Sequence, residues 1–539
     1  MRATNSYYRK QIQMSNFNFY FTRATTIPAI VDHVLSNYGD IPLGVHFKKS
    51  IEQELFQYAD HIWKLSNLTA LSFDFLPKFL DNDNNIWKLA RLTKLTVFPN
   101  YPKGCGKYYN LRCANLDKFS NDELERMYNI EEFLYYTSYL QRTKAPYDFI
   151  PNPDRLTRML IYQDKIDFNT LTRFTNLKTL EFRDKECNPD NQIALSKLTT
   201  VQDLVVGGLN YYGFYNMTNL TSLYIEQATP EVSRISALYN LKELVFGSYR
   251  GDVDQVELDL APLTALHSLN CARHYTALDV IYATIQSPRL TELQLSVHQG
   301  FHIAHLTSLH RSLKVLTIQE NNVKRCHVDY GALSHLTNLV SLQIKLCTSR
   351  PSLTIISNLT NLTKLEVTRL DSKIGLLADW SLSKLTNLEV LNIGTAPNGI
   401  LNDLCHATKL TELEIRLTPE QIAQNNTCLE SLINLKYLFL QGGMNDNHYW
   451  QAVTKLTALE GLQLFKVDSA EKIGSLSTLT RLTLLEVFES KTLSGRHLRR
   501  LTSLQVLHFP SRLARARGMK KKNLRKFAAN MPHLYSYYF

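Results

Sequence analysis

The residues of this 539-residue chain that could do chemistry are numerous but poorly grouped. Its sixteen histidines are dispersed, and His298 and His302, four apart beside Gly300, have no acidic residue placed to complete a metal site. Gly104-Cys105-Gly106-Lys107 has the outline of a phosphate loop, but it lacks the four-residue gap between glycines and the Ser or Thr that should follow the lysine, so it reads as a surface loop. Neither HExxH, GxSxG, a Walker pattern nor a dinucleotide fingerprint occurs. No enzymatic activity, cofactor or metal is therefore expected. The cysteines (105, 113, 187, 271, 326, 347, 405 and 428) show no CxxC and no paired spacing, and they read as reduced thiols of an intracellular protein.

Charge is distributed less evenly than the reactive side chains. The window 496–526 holds eleven Lys or Arg and no Asp or Glu, and the rest of the chain balances at 49 basic against 49 acidic residues. This window alone accounts for the net charge of +11. Within it, Arg512, Arg515, Arg517, Lys520, Lys521, Lys522, Arg525 and Lys526 form a candidate polyanion-binding section, with nucleic acid or an acidic surface as the partner class.

The elements that must position any such site follow from one nine-residue pattern. In LTNLTKLEV (359–367) the apolar residues stand three, three and two apart, a spacing that closes a tight helical turn and opens a strand. The pattern returns as LTNLVSLQI (336–344), LTNLEVLNI (385–393), LINLKYLFL (432–440) and LTRLTLLEV (479–487). Taking the last leucine of each unit as an anchor, the mean repeat from 159 to 507 is about 23 residues, within the range of solenoid repeats. A further apolar residue recurs nine before the anchor, which predicts a helical turn or short helix in most connections. Asn recurs four before it, as at Asn176, Asn219, Asn240, Asn338, Asn361, Asn387 and Asn434, where a C-cap residue is expected.

These residues make the chain resemble the leucine-rich repeat superfamily, over about 45–539. The resemblance implies an α/β solenoid, a horseshoe with a parallel sheet on its concave side and helical or irregular connections on its convex side, used to bind proteins. The Asn that such proteins commonly carry five after the anchor is present only as Asn100 and Asn321, which favours an irregular protist- or F-box-type array. Residues 1–40 read as an N-terminal cap, a strand through Phe17, Phe19 and Phe21 followed by a helix over 27–38. That helix is weakly similar to the opening helix of an F-box, and the similarity implies a substrate adaptor of a ubiquitin ligase as the alternative function. Residues 41–539 form the solenoid, with 98–119 expected to loop out and the basic section near the end.

No run of 18 apolar residues exists to span a membrane, and MRATNSYYRKQIQM lacks an apolar h-region, so a cytoplasmic or nuclear monomer is expected. On each strand the anchor and the residue two later point inward, leaving the residues beside the anchor and three after it outside. Near the C-terminal end these outward positions bring Tyr437, Phe439, Phe465 and Phe488 onto three consecutive strands, with Glu412, Glu414, Arg416 and Glu486 around them. An apolar centre with a charged rim is the composition of a protein-docking patch, and this is the candidate partner site.

Overall fold

In the computed structural model, the residues 359–367 behave as their spacing requires. Leu359 N–H donates to the Ile356 carbonyl at 2.9 Å and Leu362 N–H to the Leu359 carbonyl at 3.0 Å, two successive tight turns, after which Lys364–Arg369 is a strand. Leu359, Leu362 and Leu365 are wholly buried, so one face of both the turn and the strand lies in the core. The structure describes residues 152–162, 168–182, 189–207, 213–228, 235–249, 260–271, 289–297, 303–320, 330–346, 354–369, 381–394, 399–417, 427–441, 447–465, 470–488 and 500–508, with shorter pieces at 17–21, 43–47, 68–73, 94–97, 113–115, 131–136 and 536–538 and a few single residues.

The chain divides into two compact units, residues 1–241 and 242–539. Among the described residues of the first, ten strands pair in chain order and in parallel, from β1 (Phe17–Phe21) and β2 (Leu43–Phe47) to β10 (Ser222–Ala228). Among the described residues of the second, thirteen strands do the same, from β11 (Glu243–Tyr249) to β23 (Ser536–Tyr538). Anchors stack on anchors: Leu342, Leu365, Leu391, Leu413, Leu438, Leu462 and Leu485 lie opposite one another in successive pairs. Parallel neighbours at one strand per repeat, joined through turns whose leucines are buried, make this a leucine-rich-repeat solenoid.

Among the described residues, several connections hold helical turns, as the apolar residue nine before the anchor predicts. Thr354–Asn358, Gly331–His335, Thr427–Ser431 and Leu476–Thr478 are 3-10 turns, and Pro189–Ser196 and Asn447–Lys455 are short α-helices. Leu195, Leu333, Ile356, Leu382, Leu404, Leu429, Val453 and Leu476, all at that position, are buried. Among the described residues no helix is long and apolar enough to cross a membrane.

Three expectations need correction. Residues 98–119 do not wholly leave the array, because Cys113–Asn115 is a strand paired with Lys94–Val97 on one side and Glu132–Tyr136 on the other. Its anchor position, opposite Leu95 and Phe133, is filled by Ala114, so the leucine pattern passes over it. Strand β1 is likewise a rung, pairing in full register with β2.

Second, the asparagines four before the anchor do more than end a turn. Asn176, Asn219, Asn240, Asn338, Asn361, Asn387 and Asn434 each donate a side-chain N–H to a carbonyl of the preceding repeat, those of Asp154, Thr199, Thr218, Arg311, Thr337, Thr360 and Thr408, at 2.7 to 3.2 Å. In every case the acceptor sits five before its own anchor. The asparagine ladder sought five after the anchor is therefore present at a different point of the repeat. A parallel ladder of threonine hydroxyls runs beside it, Thr157, Thr221, Thr291, Thr363, Thr411 and Thr483 each donating to the residue at the same place one repeat earlier.

Third, the cysteines are not all separate thiols. Cys405 and Cys428 form a disulfide across 23 residues, Cα to Cα 4.6 Å, both half-buried. Their separation is one repeat, which stacks the two positions on neighbouring turns; a search for local CxxC spacing passes over such a pair. Cys271 is a buried free thiol, and burial pushes its pKa far above the usual value because the thiolate would be desolvated.

Candidate functional site

The site lies on the outward face of residues 242–539, on β16 (Lys364–Arg369), β17 (Val390–Ile393), β18 (Glu412–Arg416), β19 (Tyr437–Gln441), β20 (Gly461–Phe465), β21 (Leu484–Phe488) and β22 (Val506–His508). Alternation along each strand decides what reaches it: Leu438, Leu440, Leu462, Leu464, Leu485 and Val487 are buried, so the residues between them face out.

One column of outward residues, each directly after an anchor, runs across the strands in register as Gln343, Glu366, Asn392, Glu414, Phe439, Gln463, Glu486 and His508. Amides and carboxylates in this column bond sideways. Gln343 Nε2 donates to Glu366 Oε2, Asn392 Nδ2 to Glu414 Oε2 and Gln463 Nε2 to Glu486 Oε2. Lys364 Nζ pairs with Glu366 Oε1 at 2.9 Å, and His508 Nδ1 stands 3.4 Å from Glu486 Oε1.

The expected aromatic residues divide between two places. Phe439, Phe465 and Phe488 make a continuous ring ladder: Phe439 meets Phe465 edge to face at 5.7 Å, and Phe465 stacks on Phe488 at 4.6 Å with the planes 11° apart. His508 extends it, edge-on to Phe488 at 5.8 Å. All three phenylalanines are half-buried rather than core, as the register predicts. Tyr437, 46% exposed, instead leans over Gly461, where an added Cβ would come within 2.6 Å of its Cδ1. Glycine is required there for this close approach.

Tyr437 thereby becomes one wall of a cavity of about 300 Å³, whose other walls include Glu366, Asn392, Glu412, Glu414 and Phe439. Burial and the nearby Glu366 carboxylate raise the Glu414 pKa above the ordinary carboxylate value. Asn392 Oδ1 is buried there with no hydrogen-bond partner. Of the expected rim, Glu412 and Glu414 line this cavity, Glu486 lies beside the ring ladder, and Arg416 is tied through Nε to Gln441 Oε1. Glu366 is outward by the same alternation, and Asn392, Gly461 and His508 are members whose signal in the sequence is only their position beside an anchor.

The F-box-like helix at 27–38, the pair His298 and His302, and the basic residues Arg512, Arg515, Arg517, Lys520, Lys521, Lys522, Arg525 and Lys526 lie outside the described residues. Among the described residues, no three His, Cys, Asp or Glu are grouped to hold a metal ion.

No family model and no curated protein matches the chain. Among solved structures, similar ones include an internalin from Listeria monocytogenes, at 20% identity and TM-score 0.36, covering 66% of this chain and 87% of that one. TLR13, solved in complex with ssRNA13, is similar at 15% identity and TM-score 0.45, covering 99% of this chain and 79% of that one. At these scores the fold assignment rests on the repeat geometry itself.

Proposed function

We propose that the chain is a non-enzymatic protein-binding scaffold whose partner docks on the outward sheet face of residues 242–539, over Phe439, Phe465 and Phe488. The observation that supports this reading is the ring ladder. The core beneath it is already closed by Leu438, Leu462 and Leu485, so three half-exposed phenylalanines add nothing the repeat needs. Contiguous exposed aromatic surface is what interfaces use and what isolated soluble surfaces avoid. The test is paired affinity capture from the cells of origin with wild type and the double variant Phe439→Ser/Phe465→Ser. A stoichiometric partner bound by wild type and lost by a folded variant is expected; equal capture by both contradicts the site.

The same proposal places the protein inside the cell, where the reducing poise would open the Cys405–Cys428 disulfide. Alkylation at lysis should label both cysteines, and a pair found already oxidised contradicts that location. The charge count favours a second docking surface at 496–526. Polyanion binding there should fall steeply with salt and vanish when Lys520, Lys521 and Lys522 become Glu. Indifference of wild type to polyanions at low salt leaves that section a solvated surface.

A further inference from the structure

The cavity beside the ring ladder has a chemistry of its own. Three carboxylates line it, Glu366, Glu412 and Glu414, and the cation that pairs with this group is Lys364, held by Glu366. Each amide at its edges has one N–H committed to a carboxylate, Asn392 Nδ2 to Glu414 and Gln463 Nε2 to Glu486. The acceptors left open are Glu412, one oxygen of Glu414, and Asn392 Oδ1, which is buried without a donor, and three carboxylates outweigh the one ammonium that pairs with them. A buried acceptor left unpaired is destabilising, so this wall favours a ligand that brings N–H groups into it. Beside them lies the ring of Tyr437, whose Cδ1 and Cε1 sit against Gly461. Acceptors of net negative charge next to an aromatic ring complement a flat, multiply donating cation better than an ammonium point charge.

We propose that this cup receives an arginine side chain from the protein partner, with lysine a weaker occupant. The proposal rests on the protein-binding reading and deepens it, setting an arginine anchor next to an apolar segment lying over Phe439, Phe465 and Phe488. The raised Glu414 pKa agrees with it, since a guanidinium beside two crowded carboxylates relieves their repulsion. The match is one of charge complementarity, a cup of surplus negative charge against a cationic side chain.

The test uses the full chain and fluorescein-labelled nonapeptide mixtures with a fixed central Arg, Lys, citrulline or Glu, the other positions drawn from Ala, Ser, Leu and Phe. Fluorescence anisotropy should show the Arg mixture binding at least tenfold more tightly than citrulline, which keeps the shape and loses the charge, with Lys between them. Glu412→Gln/Glu414→Gln should abolish that preference while the fold is kept. Gly461→Ala, which displaces the Tyr437 ring, should reduce it. Phe439→Ser/Phe465→Ser should instead weaken every mixture and leave the Arg preference, so failure of the cup and failure of the ladder give different patterns. Equal binding of Arg and citrulline, an Arg preference that survives Glu412→Gln/Glu414→Gln, or no binding by any mixture overturns the proposal. So does self-association of the chain that Glu412→Gln/Glu414→Gln disperses, which would make the occupant a second copy.

Discussion

Asn387 and Asn392 lie five residues apart in one repeat and face different tasks. Asn387 Nδ2 donates to the Thr360 carbonyl of the preceding repeat, as six other asparagines do at the same position. Asn392 Nδ2 donates to the Glu414 side chain of the following strand and leaves its Oδ1 buried and unpaired. The first is a side chain satisfying a backbone group that the turn leaves without a partner, and repetition makes it a structural device. The second belongs to a column that carries surplus acceptors and negative charge outward. Residue type does not separate them; position relative to the anchor does. Stability should accordingly reside in the turn and the core beneath it, and binding in the outward column.

The largest expected effect is in the core that both regions share. Leu365 is fully buried between Leu342 and Leu391, and Leu365→Ala should cost about 2–5 kcal/mol. Because each repeat packs only on its neighbours, the loss should appear in hydrogen exchange as opening of adjacent repeats before distant ones. Uniform protection along the whole chain would contradict a nearest-neighbour array.

Next comes the asparagine ladder. Asn361→Ala and Asn387→Ala each strip a donor from a carbonyl, Thr337 O and Thr360 O. Each should cost about 1 kcal/mol in denaturant unfolding, with the two effects nearly additive. No measurable change in either would mean that water replaces the amide without loss, and that the ladder marks the repeat without holding it.

The smallest effect sharpens the other side of the comparison. Glu414 has a folded pKa raised above its ordinary value, so its protonated form is the one the fold favours. Its stabilising contribution is full below the ordinary glutamate pKa, about 4.3, and is lost as pH rises through the higher folded value. Glu414→Gln should therefore be slightly more stable than wild type at neutral pH, with the gap closing in acid. A variant less stable than wild type at neutral pH would assign Glu414 to structure and remove it from the binding column.

How much of this the chain announced depends on how often a feature repeats. Anchors such as Leu365 and Leu391 recur at nearly constant spacing, and burial at period two along each strand fixes their direction, so sheet, register and the outward placement of Phe439, Phe465 and Phe488 were all legible. Ala114 escaped because a small residue fills an anchor site, and Cys405 with Cys428 because their relation is one repeat long. The asparagines were visible, but their partner was not: a backbone carbonyl one repeat away leaves no mark on side-chain identity. The cup was least legible. It needs Glu366, Asn392, Glu414 and Tyr437 from four strands, and the space between them depends on the absent side chain of Gly461.

The central claim, that this molecule holds itself together through its turns and recognises a partner through its outward column, is tested most directly by one crossed measurement. Thermal melting and partner capture are read on Asn361→Ala/Asn387→Ala and on Phe439→Ser/Phe465→Ser side by side. The asparagine pair should melt earlier and still capture the partner. The phenylalanine pair should lose capture while melting close to wild type, since each ring contact removed is worth about 0.5–1.5 kcal/mol at most. The reverse pattern, with the phenylalanine pair unfolding or the asparagine pair alone losing the partner, contradicts the account.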